Sequence, residues 1–269
     1  MTTTFKFQRL DGIGRGSVYW NGVAPAKNMP VSKIYLHGMC GDPSVYEPWL
    51  SKDADLQTPA FAVQFRGHGD SDQSMLGAAS FDDYVADALS CVAHVGPANV
   101  IAHSMGALVQ QKLALSGSKY VKYIQKQVLI TSAPPAGMLL KGLVLWRIWR
   151  YILPMARKMP FTLTQRDAKD LLFNRFPDDA LENGLRTMGF ESGRVVWQIS
   201  THQIWIKPIG IPTLVIAAEH DNITHPDIQR KIAYRHGGRL VTLKGACHMI
   251  PLQPDIRDEA FNVITNWLN

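Results

Sequence analysis

Residues 100–107 read VIAHSMGA, an apolar run that stops at a serine with a small residue two places to either side, Ala102 and Gly106. A nucleophile on a sharp strand-to-helix turn needs that smallness, because the turn presses its flanks against neighbouring backbone while pushing the hydroxyl outward. The helix that follows would aim free N–H groups and a positive dipole end at the same spot, which suits a developing oxyanion. The five residues alone fit an ordinary βα turn almost as well. A serine hydroxyl is also a weak nucleophile until a base takes its proton. Of the nine histidines, His248 in LKGACHMIP follows the last apolar strand, where its loop can reach back over the sheet. His37, His103, His220 and His225 read as structural or supporting groups. The base needs a carboxylate to fix its tautomer and stabilise the imidazolium. Asp221, just past the strand IPTLVIAAEH, sits at the same sheet edge, with Glu219 as the alternative acid.

These three positions make sense only if strands carry them. The segments VSKIYLHG, AFAVQFRGHG, NVIAHS, KQVLITSAPP, IPTLVIAAEHD and RLVTLKGACH are short apolar strands. FKFQRL and GSVYWNGVA, separated by Asp11-Gly12, read as an antiparallel N-terminal pair. SFDDYVADALSCVAHV begins with Ser80 and Asp83 at capping-box spacing and repeats its apolar residues at helical period. MGALVQQKLALSG and PDIRDEAFNVITNWLN read as two more helices. Continuous apolar strands alternating with helices predict an α/β fold with a mostly parallel central sheet covered on both faces.

The 78 residues from Pro134 to Ile211 break the alternation, since they carry helical signals and no convincing strand. So long a connection must be a substructure of its own. The expectation is a core of residues 1–133 and 212–269 with a helical cap, 134–211, inserted between two strands. GMLLKGLVLWRIWRYILPMARKMPF should kink or end at Pro154. Its Arg147, Arg150, Arg157 and Lys158 share one sector of a helical wheel, a face able to rest on an anionic membrane or micelle surface. TQRDAKDLLFNRF, PDDALENGLRTM and ESGRVVWQISTHQ read as three shorter helices. The cap holds more large apolar residues than one core-facing stripe explains, so some should line an acyl pocket over Ser104.

Composition removes other classes. A hydrophobic fraction of 46% in 269 residues supports a large core. The formal charge of +6 comes from scattered Lys and Arg, without the basic helix and interleaved aromatics of a nucleic-acid binder. MTTTFKFQRLDG lacks the apolar stretch of a signal peptide, and no window approaches the roughly 20 uncharged apolar residues of a membrane span. Cys40, Cys91 and Cys247 are an odd number without metal-ligand spacing, which reads as reduced thiols in a cytoplasmic protein. No metal or organic cofactor is implied.

Five motifs in order, YLHGMCGD, FRGHGDSD, AHSMGA, EHDNITHP and CHMIP, resemble those of the α/β-hydrolase superfamily, and the likeness spans nearly the whole chain. The closest flavour is the serine-esterase, monoacylglycerol-lipase and lysophospholipase-like group, although the elbow carries Ala102 where glycine is usual. The resemblance implies Ser104 as nucleophile, His248 as general base and then acid, and Asp221 as its partner. It further implies oxyanion donors in the backbone N–H groups of Met39 and Met105. His37, Leu139, Leu140, Leu143, Trp146 and Trp149 are the expected substrate contacts. The expected activity is hydrolysis of a carboxylic ester with an apolar acyl chain through an acyl-serine. An acyl-homoserine lactone or an acyl thioester would suit the same triad. A carbon–carbon bond hydrolase or a ligand-binding protein with a vestigial triad are the remaining readings.

Overall fold

The computed structural model of the protein describes residues 8–10, 12–140 and 143–269. Of the expected N-terminal pair, FKFQRL therefore contributes only β1 (Gln8–Leu10); Phe5–Phe7 and Asp11 of its turn lie outside the described residues. β2 (Ser17–Trp20) pairs antiparallel with β1 and with β4 (Ala60–Gln64). β3 (Ser32–Leu36), β4, β5 (Ala98–His103), β6 (Ile124–Ile130), β7 (Thr213–Ala218) and β8 (Arg239–Leu243) run parallel, giving the order β1-β2-β4-β3-β5-β6-β7-β8.

Period-two alternation sends each strand into two cores. Ile34, Leu36, Val100 and Ala102 pack with α2 (Phe81–Val95), α3 (Met105–Ala114) and α9 (Pro226–His236). Tyr35 and Ile101 point the other way, onto α1 (Glu47–Asp55) and α10 (Arg257–Leu268). Both faces are covered, so the strands from β3 to β7 are buried on both sides, apart from Gln125 and Lys126 near the start of β6. α2 opens as its sequence implies, with the Ser80 N–H and hydroxyl both donating to Asp83 Oδ2 at 2.9 and 2.6 Å.

Two helices were not anticipated from the sequence, α1 and α9. Both are rich in charge. α9 buries only Ile228, Gln229, Ile232, Ala233 and His236, yet its ends carry plain signals in Pro226 at its first position and the left-handed Gly237 after its last.

Between β6 and β7 the chain forms α4 (Leu143–Ile148), α5 (Ile152–Ala156), α6 (Gln165–Leu171), α7 (Asp178–Arg186) and α8 (Gly193–Ser200). Pro154 lies in the first turn of α5, which tolerates its missing N–H; the break falls just before it, in a 3₁₀ turn over Trp149–Tyr151. Phe161 and Glu191 form an isolated antiparallel bridge within this segment. The segment's two ends meet where Ala136 N–H donates to the Ile204 carbonyl at 2.8 Å. Among the described residues no helix is long and apolar enough to cross a membrane.

Candidate active site

Parallel register brings strand ends into line: Leu36 opposite Ala102, His103 opposite Ile130, and Ala218 opposite Leu243. Ser104 follows β5 directly and adopts φ +52°, ψ −117°, a conformation that L-residues avoid and that costs on the order of 1–3 kcal/mol. Four backbone hydrogen bonds hold it there. Its N–H donates to Ile130 O at 2.9 Å, and its carbonyl accepts from Ala133 N at 2.9 Å, Ala107 N at 3.1 Å and Leu108 N at 3.3 Å. Gly106 must be glycine, because a Cβ there would stand 2.4 Å from the His37 carbonyl oxygen and 2.5 Å from that of Leu36. Gly38 is constrained likewise, with an added Cβ 2.8 Å from His103 Nδ1.

His248 sits in the loop after β8. Gln253 fastens that loop, accepting from Cys247 N at 2.8 Å and donating to Gly245 O at 3.2 Å. The His248 carbonyl accepts from His103 Nε2 at 2.9 Å and from the Thr131 hydroxyl at 3.2 Å. His103 thus carries its proton on Nε2, and burial beside His248 pushes its pKa down to about 3. His248 Nε2 lies 2.9 Å from Ser104 Oγ, and its Nδ1 lies 2.9 Å from Asp221 Oδ2. A carboxylate only accepts, so the imidazole proton resides on Nδ1 and Nε2 is free to take the serine proton. The Asp221 Oδ1 accepts the Ile223 and Thr224 N–H groups, both at 2.8 Å. Burial alone would raise the Asp221 carboxyl; the attraction of His248 and these donors override it and hold it below the usual carboxylate range. Glu219, the alternative acid, is exposed and accepts from Gly245 N at 2.8 Å, away from His248.

Met105 supplies the first N–H of α3, and Met39 follows Gly38 in the loop after β3. Among the described residues neither N–H has a backbone acceptor, and both residues border the cavity that opens over Ser104. That cavity, about 870 Å³ with its mouth, is walled mainly by the helical segment through Leu140, Val144, Ile148, Phe161, Leu171 and Val196. Its polar lining groups are Ser104, His103, His248, Thr224, Ser200 and Tyr151, and among the described residues no Lys, Arg, Asp or Glu borders it. Tyr151 is itself engaged, its hydroxyl donating to Asp167 at 2.7 Å.

Of the five expected substrate contacts whose side chains are described, Leu140 alone lines this space. Leu139, Trp146 and Trp149 face solvent, at 65%, 79% and 59% exposure, because α4 turns Val144 and Ile148 inward instead. The surplus of large apolar residues is an external patch as much as a pocket. The Leu143 side chain lies outside the described residues. His37 is a correction of a different kind. It is fully buried between Phe65 and His68, accepts from Phe65 N at 3.3 Å through Nε2, and lies 2.9 Å from Gly38 O through Nδ1. It shapes the loop and does not face the cavity. The expected cationic face is also reduced, since Arg147 turns in to Asp167 at 3.0 Å and to Asp170. Val144 and Ile148 belong to the run of large apolar residues from which the pocket was expected. Phe161, Leu171 and Val196 were missed, Phe161 because it stands on an isolated bridge and the other two because their short helices show too few turns to declare a face. Among the described residues no group of three or more His, Cys, Asp or Glu is placed to hold a metal ion. All three cysteines are buried free thiols.

The sheet order and the row of side chains at successive strand ends define an α/β-hydrolase fold. The particular family follows from sequence: the model of the alpha/beta hydrolase family matches residues 34–257, and the protein belongs to that family. Compared with curated proteins, the chain matches none. Among solved structures it is similar to a soluble variant of monoglyceride lipase from Saccharomyces cerevisiae, with 17% identity, 98% of this chain and 94% of that chain covered, and a TM-score of 0.73. It is similar to a thermophilic esterase from Thermogutta terrifontis, with 17% identity, 98% of both chains covered and a TM-score of 0.73. A 2-hydroxy-6-oxo-6-phenylhexa-2,4-dienoate hydrolase from Rhodococcus sp. strain RHA1 also matches, at 14% identity, 98% and 99% coverage and a TM-score of 0.66. At these identities the likeness is one of fold.

Proposed function

We propose that the protein is a serine hydrolase that cleaves carboxylic esters of apolar acyl chains, with the segment 134–211 serving as a cap that supplies the acyl pocket. The observation that carries this reading is the hydrogen-bonded row Ser104–His248–Asp221 opening into a cavity with no charged wall residue among the described residues. In acylation His248 Nε2 takes the Ser104 proton as Oγ attacks the ester carbonyl, and the tetrahedral oxyanion receives the Met39 and Met105 N–H groups. The imidazolium, steadied by Asp221, then protonates the leaving alkoxide. A water activated by the same histidine attacks the acyl-serine, Ser104 recovers its proton, and the acid leaves.

The lining also favours this reading over the carbon–carbon bond hydrolase. A dienoate substrate carries a carboxylate, and among the described residues this cavity offers it no cation. The apolar walls suit a fatty acyl chain, in keeping with the lipase and esterase among the fold's neighbours. The test is a chain-length series of p-nitrophenyl esters run beside acyl-homoserine lactones and acyl-CoA thioesters. We expect the highest kcat/KM on esters of medium or long chains. An optimum at acetate removes the acyl-pocket argument, and preferred turnover of lactones or thioesters replaces the ester reading.

A further inference from the structure

Glu191 is a fully buried carboxylate that leaves the cap and enters the body. It lies just before α8, fixed by paired backbone hydrogen bonds with Phe161 at 2.7 and 3.0 Å. Its Oε1 accepts the Tyr84 hydroxyl and the Ser192 N–H, both at 2.7 Å. Its Oε2 accepts His68 Nε2 and the Cys40 N–H, both at 3.1 Å. Burial would raise this carboxyl, but His68, Tyr84 and Ser192 together hold it below its ordinary range. Burial would lower His68, yet Glu191 raises it, and both ring nitrogens of His68 face acceptors, Nε2 the Glu191 carboxylate and Nδ1 the Arg66 carbonyl at 3.3 Å.

Cys40 is the residue after Met39. The turn Gly38–Gly41 closes with Gly41 N–H to Gly38 O at 3.2 Å, and Cys40, at its third position, has φ +59°, a value at which glycine is the ordinary occupant. A side chain is strained there unless the surroundings hold it. The cap does so from both sides. Glu191 takes the Cys40 N–H, and the Gly189 N–H donates to the Cys40 carbonyl at 2.6 Å. The FRGHGDSD motif, which the catalytic row leaves unused, contributes His68 as the counter-ion of this clamp.

We infer that Glu191 is a positioning residue for the oxyanion hole: with Gly189 it clamps the Cys40 peptide and so fixes the neighbouring Met39 N–H that receives the oxyanion. The inference rests on the serine-hydrolase reading above. It makes the cap a part of the reaction centre as well as a wall of its pocket.

The experiment compares wild type, Glu191→Ala, Glu191→Gln and Tyr84→Phe on a soluble p-nitrophenyl ester, with Ser104→Ala as background. Alongside it, binding of an alkyl boronic acid, which mimics the oxyanion, is measured against binding of the matching alkyl alcohol. Glu191→Ala should lower kcat by about 10–100-fold with KM little changed, since deleting one donor outright costs about 10²–10³. It should weaken the boronate in proportion and leave the alcohol unaffected. Glu191→Gln keeps one carbonyl oxygen for Cys40 and should recover part of the loss. Tyr84→Phe removes one outer donor and should lower kcat only a few-fold, which keeps the test available if the alanine variant fails to fold. Wild-type kcat in Glu191→Ala, or equal weakening of boronate and alcohol, overturns the inference while the hydrolase reading stands. No ester turnover by wild type above Ser104→Ala overturns both.

Discussion

The strand-end site and the helical segment above it are built on opposite terms. Around Ser104 the backbone does the positioning. Ser104 and Thr131 sit at φ +52° and +41°, held by hydrogen bonds to strands β6 and β7. Of the side chains there, Asp221 and His248 have every polar atom engaged, and His103 Nδ1 is left unpartnered. The segment between β6 and β7 is instead five helices of five to nine residues, too short to persist alone and held by side chains. Its buried polar centres are Asp167, which gathers Arg147, Tyr151 and Thr164, and Glu191, which faces the body. A centre fixed by backbone keeps its geometry whatever binds, whereas walls fixed by apolar packing can change shape residue by residue. The first, with Glu191 reaching into it, should govern kcat, the second the choice of substrate.

The largest effect tests the first half of that contrast. Ser104→Ala should cut kcat by roughly 10⁴–10⁶ without altering the unfolding transition beyond relief of strain. A variant that retains a tenth of the activity would place the nucleophile elsewhere. Next in size, Asp221→Asn should cost about 10⁴ in kcat through the wrong His248 tautomer, and Glu219→Gln should change little. The reverse ranking would exchange the two acids. Asp221 also sets an acid limit on stability. Its folded carboxyl titrates below the unfolded one, so its contribution is present above the ordinary carboxylate value and is lost as pH falls through the lower folded value. Urea midpoints of wild type should therefore drop below about pH 4, and Asp221→Asn should flatten that slope.

A middle-sized effect should come from the walls. Val144→Phe or Ile148→Phe adds bulk to the cavity and should move the chain-length optimum toward shorter esters, with a loss of about 10–100-fold on the longest. kcat on a short ester should stay near wild type. A uniform fall across all chain lengths would mean that the helices carry geometry for the reaction as well as shape.

Legibility in the sequence follows the same division. The elbow is local: an apolar strand, a serine and two small neighbours lie within a few residues, and Gly106 states its constraint by its identity alone. Asp221 and His248 are distant in sequence, yet each follows an apolar strand, so parallel topology brings them together. The segment between β6 and β7 offers no such rule. In α4 the six residues contain too little of a repeat to separate Val144 from Trp146, and the partners that turn Arg147 inward lie 20 and 23 residues away. Glu191 gave no signal at all, because its four donors come from β3's loop, the turn after β4, α2 and its own neighbour. His37 misled because a histidine after a strand points toward a site or behind it with equal ease.

The smallest expected effect concerns the residues that were misread as pocket. Trp146 and Trp149 are exposed, as are Ile152 and Leu153 of α5 and Met159 just beyond it. Trp146→Ser and Trp149→Ser should each move stability by no more than about 0.5 kcal/mol and leave kcat/KM on monomeric esters unchanged. Their one visible consequence should appear with aggregated substrate. Arg150, Arg157 and Lys158 remain at the surface beside this patch, so apolar and cationic groups meet a micelle or an anionic vesicle together. On esters presented that way the tryptophan variants should lose activity a few-fold, most strongly at low salt, where the cations add their share. Equal losses on monomeric and aggregated esters would instead tie these tryptophans to the cavity after all, through a cap arrangement other than the one described.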